Sequence, residues 1–231
     1  MNDRHAPLRL YSGPLSMFGA KAEIALREKG LAFELVMVPF ENARGYEPKH
    51  PEVLRINPKG QVPVLVHGTL ELFDSTQIFE YLEDLRPEPR LWPRGTEARA
   101  QARRLELESD EIYFPHVVRL MGLEHAPEDP AAVAARLAAQ AFCRRMEAVL
   151  AGRACLGGDD YGYADIAFYM AQLFGERKGA PIPPDCPKLV AWRGRVGSRP
   201  AVRQVAGAMG RYLRSHARPV PEFLAALIAA A

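Results

Sequence analysis

The sequence predicts an α/β domain followed by an all-helical one. Three observations carry this. Strand-like and helix-like stretches alternate over about the first ninety residues, strand patterns vanish after Thr96, and the change falls at the proline-rich Arg86-Pro87-Glu88-Pro89. The expected boundaries are 1–86 for the α/β domain, 87–95 for a linker crossed by few contacts, and 96–231 for the helical domain.

The elements follow in order. Leu8-Arg9-Leu10-Tyr11 alternates apolar and polar residues as a strand does, and Ser12-Gly13-Pro14 breaks it. Ala22, Ile24, Ala25 and Leu26, interleaved with Lys21, Glu23, Arg27, Glu28 and Lys29, read as a helix stopped by Gly30. Phe33 to Val38 is β-rich, and Pro39 to Pro58 reads as irregular chain with room for one short helix. Val62 to Val66 and Leu70 to Phe73 flank His67-Gly68-Thr69 as a hairpin, and Ser75 to Leu85 is a helix with Ile78, Phe79, Tyr81, Leu82 and Leu85 on its apolar side. The order is β-α-β-α-β-β-α. Helical patterns then cover Thr96 to Gly122, Pro130 to Leu150, Tyr163 to Phe174, Lys188 to Gly197 and Ala201 to Leu213, with a kink expected at Pro115. The tail Pro221 to Ala231 fits a cover for a cleft, a subunit contact or a frayed end.

Composition excludes several classes. The 231 residues are 48% hydrophobic and 25% charged, as in an ordinary globular protein, and the net charge of +2 gives no bulk pull toward polyanions. Arg193, Arg195, Arg199, Arg203, Arg211, Arg214 and Arg218 have only Trp192 and Tyr212 as aromatic neighbours, so they read as a solvated face and not a nucleic-acid surface. Cys143, Cys155 and Cys186 are odd in number and widely spaced, which argues for small core residues over a disulfide framework or zinc finger. No histidine spacing suggests a metal site. The longest apolar run, Phe223 to Ala231, is about half a membrane span, and Asp3 and Arg4 sit where a secretory signal would begin. A cytoplasmic protein without membrane or nucleic-acid partners is the expectation.

The most informative stretch is Asn57-Pro58-Lys59-Gly60-Gln61-Val62-Pro63-Val64-Leu65. A proline entering a strand removes a ladder donor, and a cis Val62–Pro63 bond would account for its place there. Such a turn would leave the Val62 N–H and C=O free to pair with an extended peptide as an added strand. Asp74-Ser75-Thr76 follows at a strand-to-helix junction. The helix N-terminus favours a ligand carboxylate and Asp74 its ammonium, together matching a small zwitterionic peptide. The alternative is that Ser75 merely caps its helix.

At these residues the chain resembles the cytosolic glutathione transferase family, over nearly its whole length. LRLYSGPLSMFGAKAEIAL, NPKGQVPVLV and LFDSTQIFEYL look like the family's thioredoxin-like domain; LGGDDYGYADIAF and Lys188 to Val202, with Trp192 and Arg199-Pro200, look like its helical-bundle domain. The resemblance implies a glutathione site of Val62 beside Pro63, Asp74 and Ser75, with Lys59 or Gln61 assisting. Most relatives carry Glu where Asp74 stands, so its contact would be one methylene short. Gly162-Tyr163-Ala164-Asp165 has capping-box spacing with Asp165 at the third helical position, Tyr161 and Ile166 forming the staple, and Gly162 where the family has Ser or Thr. That motif is structural.

No cysteine precedes Cys143, which excludes thiol-disulfide exchange on the first helix. The spacing after the first strand resembles serine-type, bacterial-like members, in which Ser16 would hold the glutathione thiolate. Tyr11 competes for the role, Ser12 is a third candidate, and a site with no side-chain activator stays open. Met17 and Phe18 would floor an apolar electrophile pocket faced by Tyr113, Phe114, His116 and Met121. The implied protein is a homodimeric glutathione transferase, with glutathione as co-substrate and no metal. It would act on a small hydrophobic electrophile by conjugation or by displacement, as in dehalogenation or aryl-ether cleavage. Met17 and Phe18 following Ser16 argue against maleylacetoacetate isomerisation. A non-catalytic interaction module on the same fold is the alternative.

Overall fold

The computed structural model describes residues 6–41 and 44–229. The expected order of the first half is present: β1 (Leu8–Ser12), α1 (Met17–Glu28), β2 (Phe33–Met37), α2 (Pro51–Ile56), β3 (Val64–His67), β4 (Leu70–Phe73) and α3 (Ser75–Leu85). The sheet runs β2-β1-β3-β4, with β2 parallel to β1 and the other pairings antiparallel. This is a thioredoxin-like layout. Alternation sets its two faces. Leu10, paired with Leu35 and Leu65, faces the core shared with α1 and α3, whereas Tyr11 and Val64 pack with Val38 and Val53 under α2.

The second half is all helix: α4 (Thr96–Glu108), a π-turn (Ser109–Tyr113), α5 (Phe114–Gly122), α6 (Pro130–Val149), α7 (Tyr163–Arg177), α8 (Pro187–Gly197), α9 (Pro200–Ser215) and α10 (Glu222–Ala229). The expected kink at Pro115 takes the form of this π-turn, placed just ahead of the proline. The Phe114 N–H bonds the Ser109 carbonyl five residues back, and the wider turn accommodates a ring that would collide with a carbonyl four residues back. The tail forms α10, which packs on α9 through Leu224 and Ile228 against Gly210, with Phe223 beneath the Arg193 guanidinium. Asp3, Arg4, Ala230 and Ala231 lie outside the described residues. Among the described residues no helix is long and apolar enough to cross a membrane.

One expectation needs correction. The halves are not joined by a sparse linker region, because one apolar core runs from α1 and α3 into α7, α8 and α9, with Phe79 stacked on Tyr163 at 4.2 Å. The same packing buries Lys21 and Glu23 of α1 and leaves Arg27 and Glu28 half-buried. Lys21 and Lys29 are buried between the halves, Lys21 bonding Glu106 at 2.8 Å together with Asp110, and Lys29 bonding Glu83 and the Pro89 carbonyl. A helix sandwiched between two domains buries charges on more than one side, and those charges need partners. The arginine run is likewise tied down in part: Arg199 grips Glu28 with two bonds of 2.8 Å, Arg193 reaches Glu176 at 2.8 Å, and Arg195 reaches the Ala154 carbonyl. Cys143 and Cys186 are buried as expected, and Cys155 is half-buried.

Candidate active site

The β1–α1 loop delivers Ser16 to the N-cap of α1 in extended backbone, where its Oγ accepts from the Gly19 N–H at 3.0 Å. A hydroxyl has one donor and two acceptor positions, so capping leaves the Ser16 O–H able to donate elsewhere. The Met17 and Phe18 amides lie in the first turn, where no intrahelical acceptor exists. Gly19 is required here, because a Cβ would stand 2.2 Å from the Ser12 Oγ.

Across the cleft, the Val62–Pro63 peptide is cis. Asn57 fixes the loop before it: its Nδ2 donates to the Gln61 carbonyl at 2.6 Å and its Oδ1 accepts from the Lys59 N–H at 3.0 Å. The Val62 amide and carbonyl enter no backbone pairing among the described residues. At the next junction Asp74, and not Ser75, is the cap of α3. Its Oδ1 accepts from the Thr76 and Gln77 amides at 3.0 and 3.4 Å, in a backbone with φ of 76°. A non-glycine residue in that conformation costs of order 1–3 kcal/mol and is concentrated at functional sites. Ser75 is therefore the first helical residue, 2% exposed overall, and lines the cavity.

Two cavities meet at Phe18, Gln61 and Val62. The polar one, about 430 Å³, is lined by Lys59, Pro63, Asp74, Ser75 and Thr76 and closed by Asp110 and Glu111 of the π-turn. The apolar one, about 410 Å³, is lined by Leu15, Ser16, Met17, Phe114, Val118, Met121 and Phe174, with Lys49 and His50 at its polar edge. An extended peptide passing Val62 would lie in both. Ser16 stands on the apolar side of the crossing.

Four candidates fall outside the linings of these two cavities. Tyr11 is 3% exposed under α2, its ring 5.0 Å from His50, on the sheet face away from the α1 core. Tyr113 is wholly buried against Phe142 and Phe168 at 5.3 and 5.2 Å. His116 is half-buried and lines neither cavity. The helical period explains the last two. Phe114, Val118 and Met121 share the cleft side of α5, Tyr113, Val117 and Leu120 turn to the core, and His116 is about half a turn from Phe114. Ser12 is also buried, against Gly19.

Lys49, His50, Val118, Phe174 and Asp110 were not singled out by the sequence. Lys49 and His50 sit between Pro48 and Pro51 in irregular chain where no period marks a face. Asp110 shares Lys21 with Glu106, which also accepts from the Thr76 hydroxyl at 2.9 Å. Burial, only partly offset by Lys21 and reinforced by the Glu106 charge, pushes the Asp110 carboxyl up to about 6. Burial likewise raises the Tyr46 phenol, which accepts from the Leu15 N–H at 3.1 Å and steadies the loop before Ser16.

Behind the site, Asp165 holds the helical domain together. Its Oδ1 accepts from the Leu156 N–H at 2.9 Å and from the Trp192 Nε1–H at 2.7 Å, and its Oδ2 from the Gly162 N–H at 3.0 Å. Burial raises this carboxyl while the three donors oppose the shift. The glycine at 162 has a steric cause: a Cβ would lie 2.2 Å from the Leu91 carbonyl, which accepts from Tyr163 N–H.

Comparison with known proteins follows the same lines. Residues 10–90 match the profile "Glutathione S-transferase, N-terminal domain" and residues 110–200 match "Glutathione S-transferase, C-terminal domain". Glutathione S-transferase 3 of Zea mays is 32% identical over 221 residues, covering 88% of this chain and 95% of the relative. The chain belongs to the glutathione S-transferase family. Glutathione S-transferase 2 of Saccharomyces cerevisiae is 29% identical, covering 85% of this chain and 88% of its own length. The crystal structure of a glutathione S-transferase from Rhodospirillum rubrum F11 superimposes with a TM-score of 0.74 at 30% identity, over 86% of this chain and 91% of that one. The family uses glutathione as co-substrate, and among the described residues no cluster of His, Cys, Asp and Glu is arranged to hold a metal ion.

Proposed function

We propose that the protein is a serine-type glutathione transferase that activates the glutathione thiol at Ser16 for attack on an apolar electrophile. The observation that carries this reading is the meeting of a polar and an apolar cavity at Val62, with Ser16 lining the apolar one. Glutathione would pair its cysteinyl backbone with the free N–H and C=O of Val62. Its γ-glutamyl end would lie toward Ser75, the α3 N-terminus and the second oxygen of Asp74, with Lys59 and Gln61 at the rim. Its glycyl carboxylate would reach toward Lys49 and His50. The thiol then falls beside Ser16 and the free amides of Met17 and Phe18.

Chemistry follows from charge. A thiol of pKa ~8.5 is about 3% ionised at pH 7, and lowering it by ~2 units gives roughly three-quarters thiolate. That requires about 2.7 kcal/mol, within reach of one charge-assisted hydrogen bond and a helix N-terminus. The thiolate would attack an electrophile held by Phe18, Phe114, Val118, Met121 and Phe174, by addition or by expelling a leaving group such as halide or aryloxide. Tyr11 has no comparable access. A homodimer in the cytoplasm accompanies this reading, on the strength of the family.

Calorimetric titration of glutathione tests the peptide site. The expected result is a micromolar to millimolar Kd that Ser75→Ala weakens about tenfold, together with turnover of an aryl halide. Absence of binding at about 10 mM glutathione, where even such weak sites would be mostly filled, would overturn the proposal in favour of an interaction module.

A further inference from the structure

The turn that delivers Ser16 has few restraints of its own. Pro14 fixes one backbone angle, and the Ser16 N–H closes the turn on the Gly13 carbonyl at 3.0 Å. The apolar cleft cavity lies against Leu15 and Ser16. A further cavity of about 200 Å³ is lined by Ser12, Gly13 and Pro14 together with Val205, Met209 and Tyr212 of α9. A wall facing empty space loses the dispersion contacts that would hold it. Packing alone therefore grips this turn weakly on two sides.

Tyr46 supplies what is missing. Pro14 has no N–H, so Leu15 carries the one amide inside the turn, and it donates to the Tyr46 hydroxyl at 3.1 Å. The Tyr46 ring sits so close to Gly13 that a Cβ there would stand 2.4 Å from it. Burial pushes the phenol up, so it stays neutral. Tyr46 is in turn held from the helical domain. Glu41 and Gly45 exchange backbone bonds of 2.7 Å, which closes the chain between Phe40 and Tyr46. The Phe40 and Tyr46 rings meet edge to face at 4.9 Å. The end of α9 grips Phe40 twice: the Tyr212 hydroxyl donates to the Phe40 carbonyl at 3.0 Å, and the Arg218 guanidinium lies 5.2 Å from the centre of the Phe40 ring. Contacts thus run unbroken from α9 through Phe40 and Tyr46 to Leu15, the residue before Ser16.

We propose, resting on the assignment of Ser16 as the thiolate's partner, that Tyr46 is a positioning residue for the Ser16 hydroxyl and that Tyr212, through Phe40, extends this hold to the helical domain. Tyr46 and Tyr212 act through the turn and not on the sulfur. A charge-assisted hydrogen bond weakens steeply with misalignment, so a loosened turn costs thiolate stabilisation.

The test is the pKa of glutathione bound to the protein without electrophile, followed by thiolate absorbance in Tyr46→Phe, Tyr212→Phe, Ser16→Ala and the double variant of Ser16→Ala with Tyr46→Phe. Tyr46→Phe keeps the ring against Gly13 and Phe40 and removes only the hydroxyl. The expected result is a rise of about 0.5–1 unit in Tyr46→Phe and about 0.3 units in Tyr212→Phe, with glutathione affinity within about threefold of wild type. Adding Tyr46→Phe to Ser16→Ala should raise the pKa no further. Gly162→Ala, destabilised at a position that lines neither cleft cavity, should leave the bound thiol unchanged. A rise in Ser16→Ala with none in Tyr46→Phe would overturn the proposal and leave the Ser16 assignment standing, whereas no rise in any variant would overturn both. A rise in Tyr46→Phe that persists in full beside Ser16→Ala would overturn it, because Tyr46 would then act without Ser16. An equal rise in Gly162→Ala would overturn it as well, by reducing the effect to lost stability. An unchanged pKa in Tyr212→Phe would overturn the link to α9. Should Tyr46→Phe fail to fold, Tyr212→Phe, which lines neither cleft cavity, decides alone.

Discussion

Asp165→Ala removes the acceptor for three buried donors: the Leu156 and Gly162 amides and the Trp192 indole. Each buried donor left without a partner costs about 1–3 kcal/mol, and water entering the vacated space recovers part of that, so the net loss is about 4 kcal/mol. In a chain of this size that lowers Tm by roughly 8–16 °C. Asp165→Asn separates the contributions. Its oxygen can keep the Leu156 and Trp192 bonds, while its NH2 group confronts the Gly162 N–H, so about 2 kcal/mol is lost. Urea unfolding at fixed protein concentration measures both, with m reporting whether the unfolded reference has shifted. Trp192 fluorescence supplies an independent signal, because its indole N–H loses its partner in Asp165→Ala but keeps it in Asp165→Asn. A loss below about 1 kcal/mol in Asp165→Ala at unchanged m would refute the argument that buried unmet donors are what this carboxylate prevents.

Other outcomes follow from the same geometry. Gly162→Ala drives a Cβ to 2.2 Å from the Leu91 carbonyl and is expected to cost about 2 kcal/mol or more by chemical denaturation. Gly194→Ala, in α8 with open space around it, is expected to stabilise by up to about 1 kcal/mol. Asp110 titrates at about 6 in the folded protein against ~3.9 unfolded, so its protonation favours folding. That contribution is fully present below pH ~4 and is lost as pH rises through about 6. The unfolding free energy of wild type should therefore fall relative to that of Asp110→Asn by about 2–3 kcal/mol across this window, and parallel pH profiles would contradict the assignment.

The sequence was most legible where one residue type has one physical use. Pro63 at a strand start, Asp74-Ser75 at a strand-to-helix junction and the Gly162–Asp165 spacing each pointed to a local geometry without tertiary information. The alternation of β1 likewise divided Leu10 from Tyr11. What stayed hidden depends on neighbours remote in sequence. In sequence Lys21 and Lys29 are only charged residues interleaved in a helix, and it is the packing around α1 that reveals them as buried ion pairs. The π-turn before Pro115 sets which residues of α5 face the cleft, so aromatic content favoured Tyr113 while register favours Val118. Lys49 and His50 lie in chain with no period, and nothing local marks them as cleft residues.

The central claim is that the Ser16 hydroxyl holds the glutathione thiolate. The most direct measurement is the pKa of bound thiol, followed by thiolate absorbance across pH in wild type, Ser16→Ala and Ser16→Thr. Ser16→Ala also loses a helix cap worth about 1 kcal/mol, so folding and glutathione affinity are checked first. The bound thiol is expected to titrate near or below neutrality in wild type, raised by about 1–2 units in Ser16→Ala and largely restored in Ser16→Thr. An unchanged pKa in Ser16→Ala, with glutathione still bound, would contradict the claim.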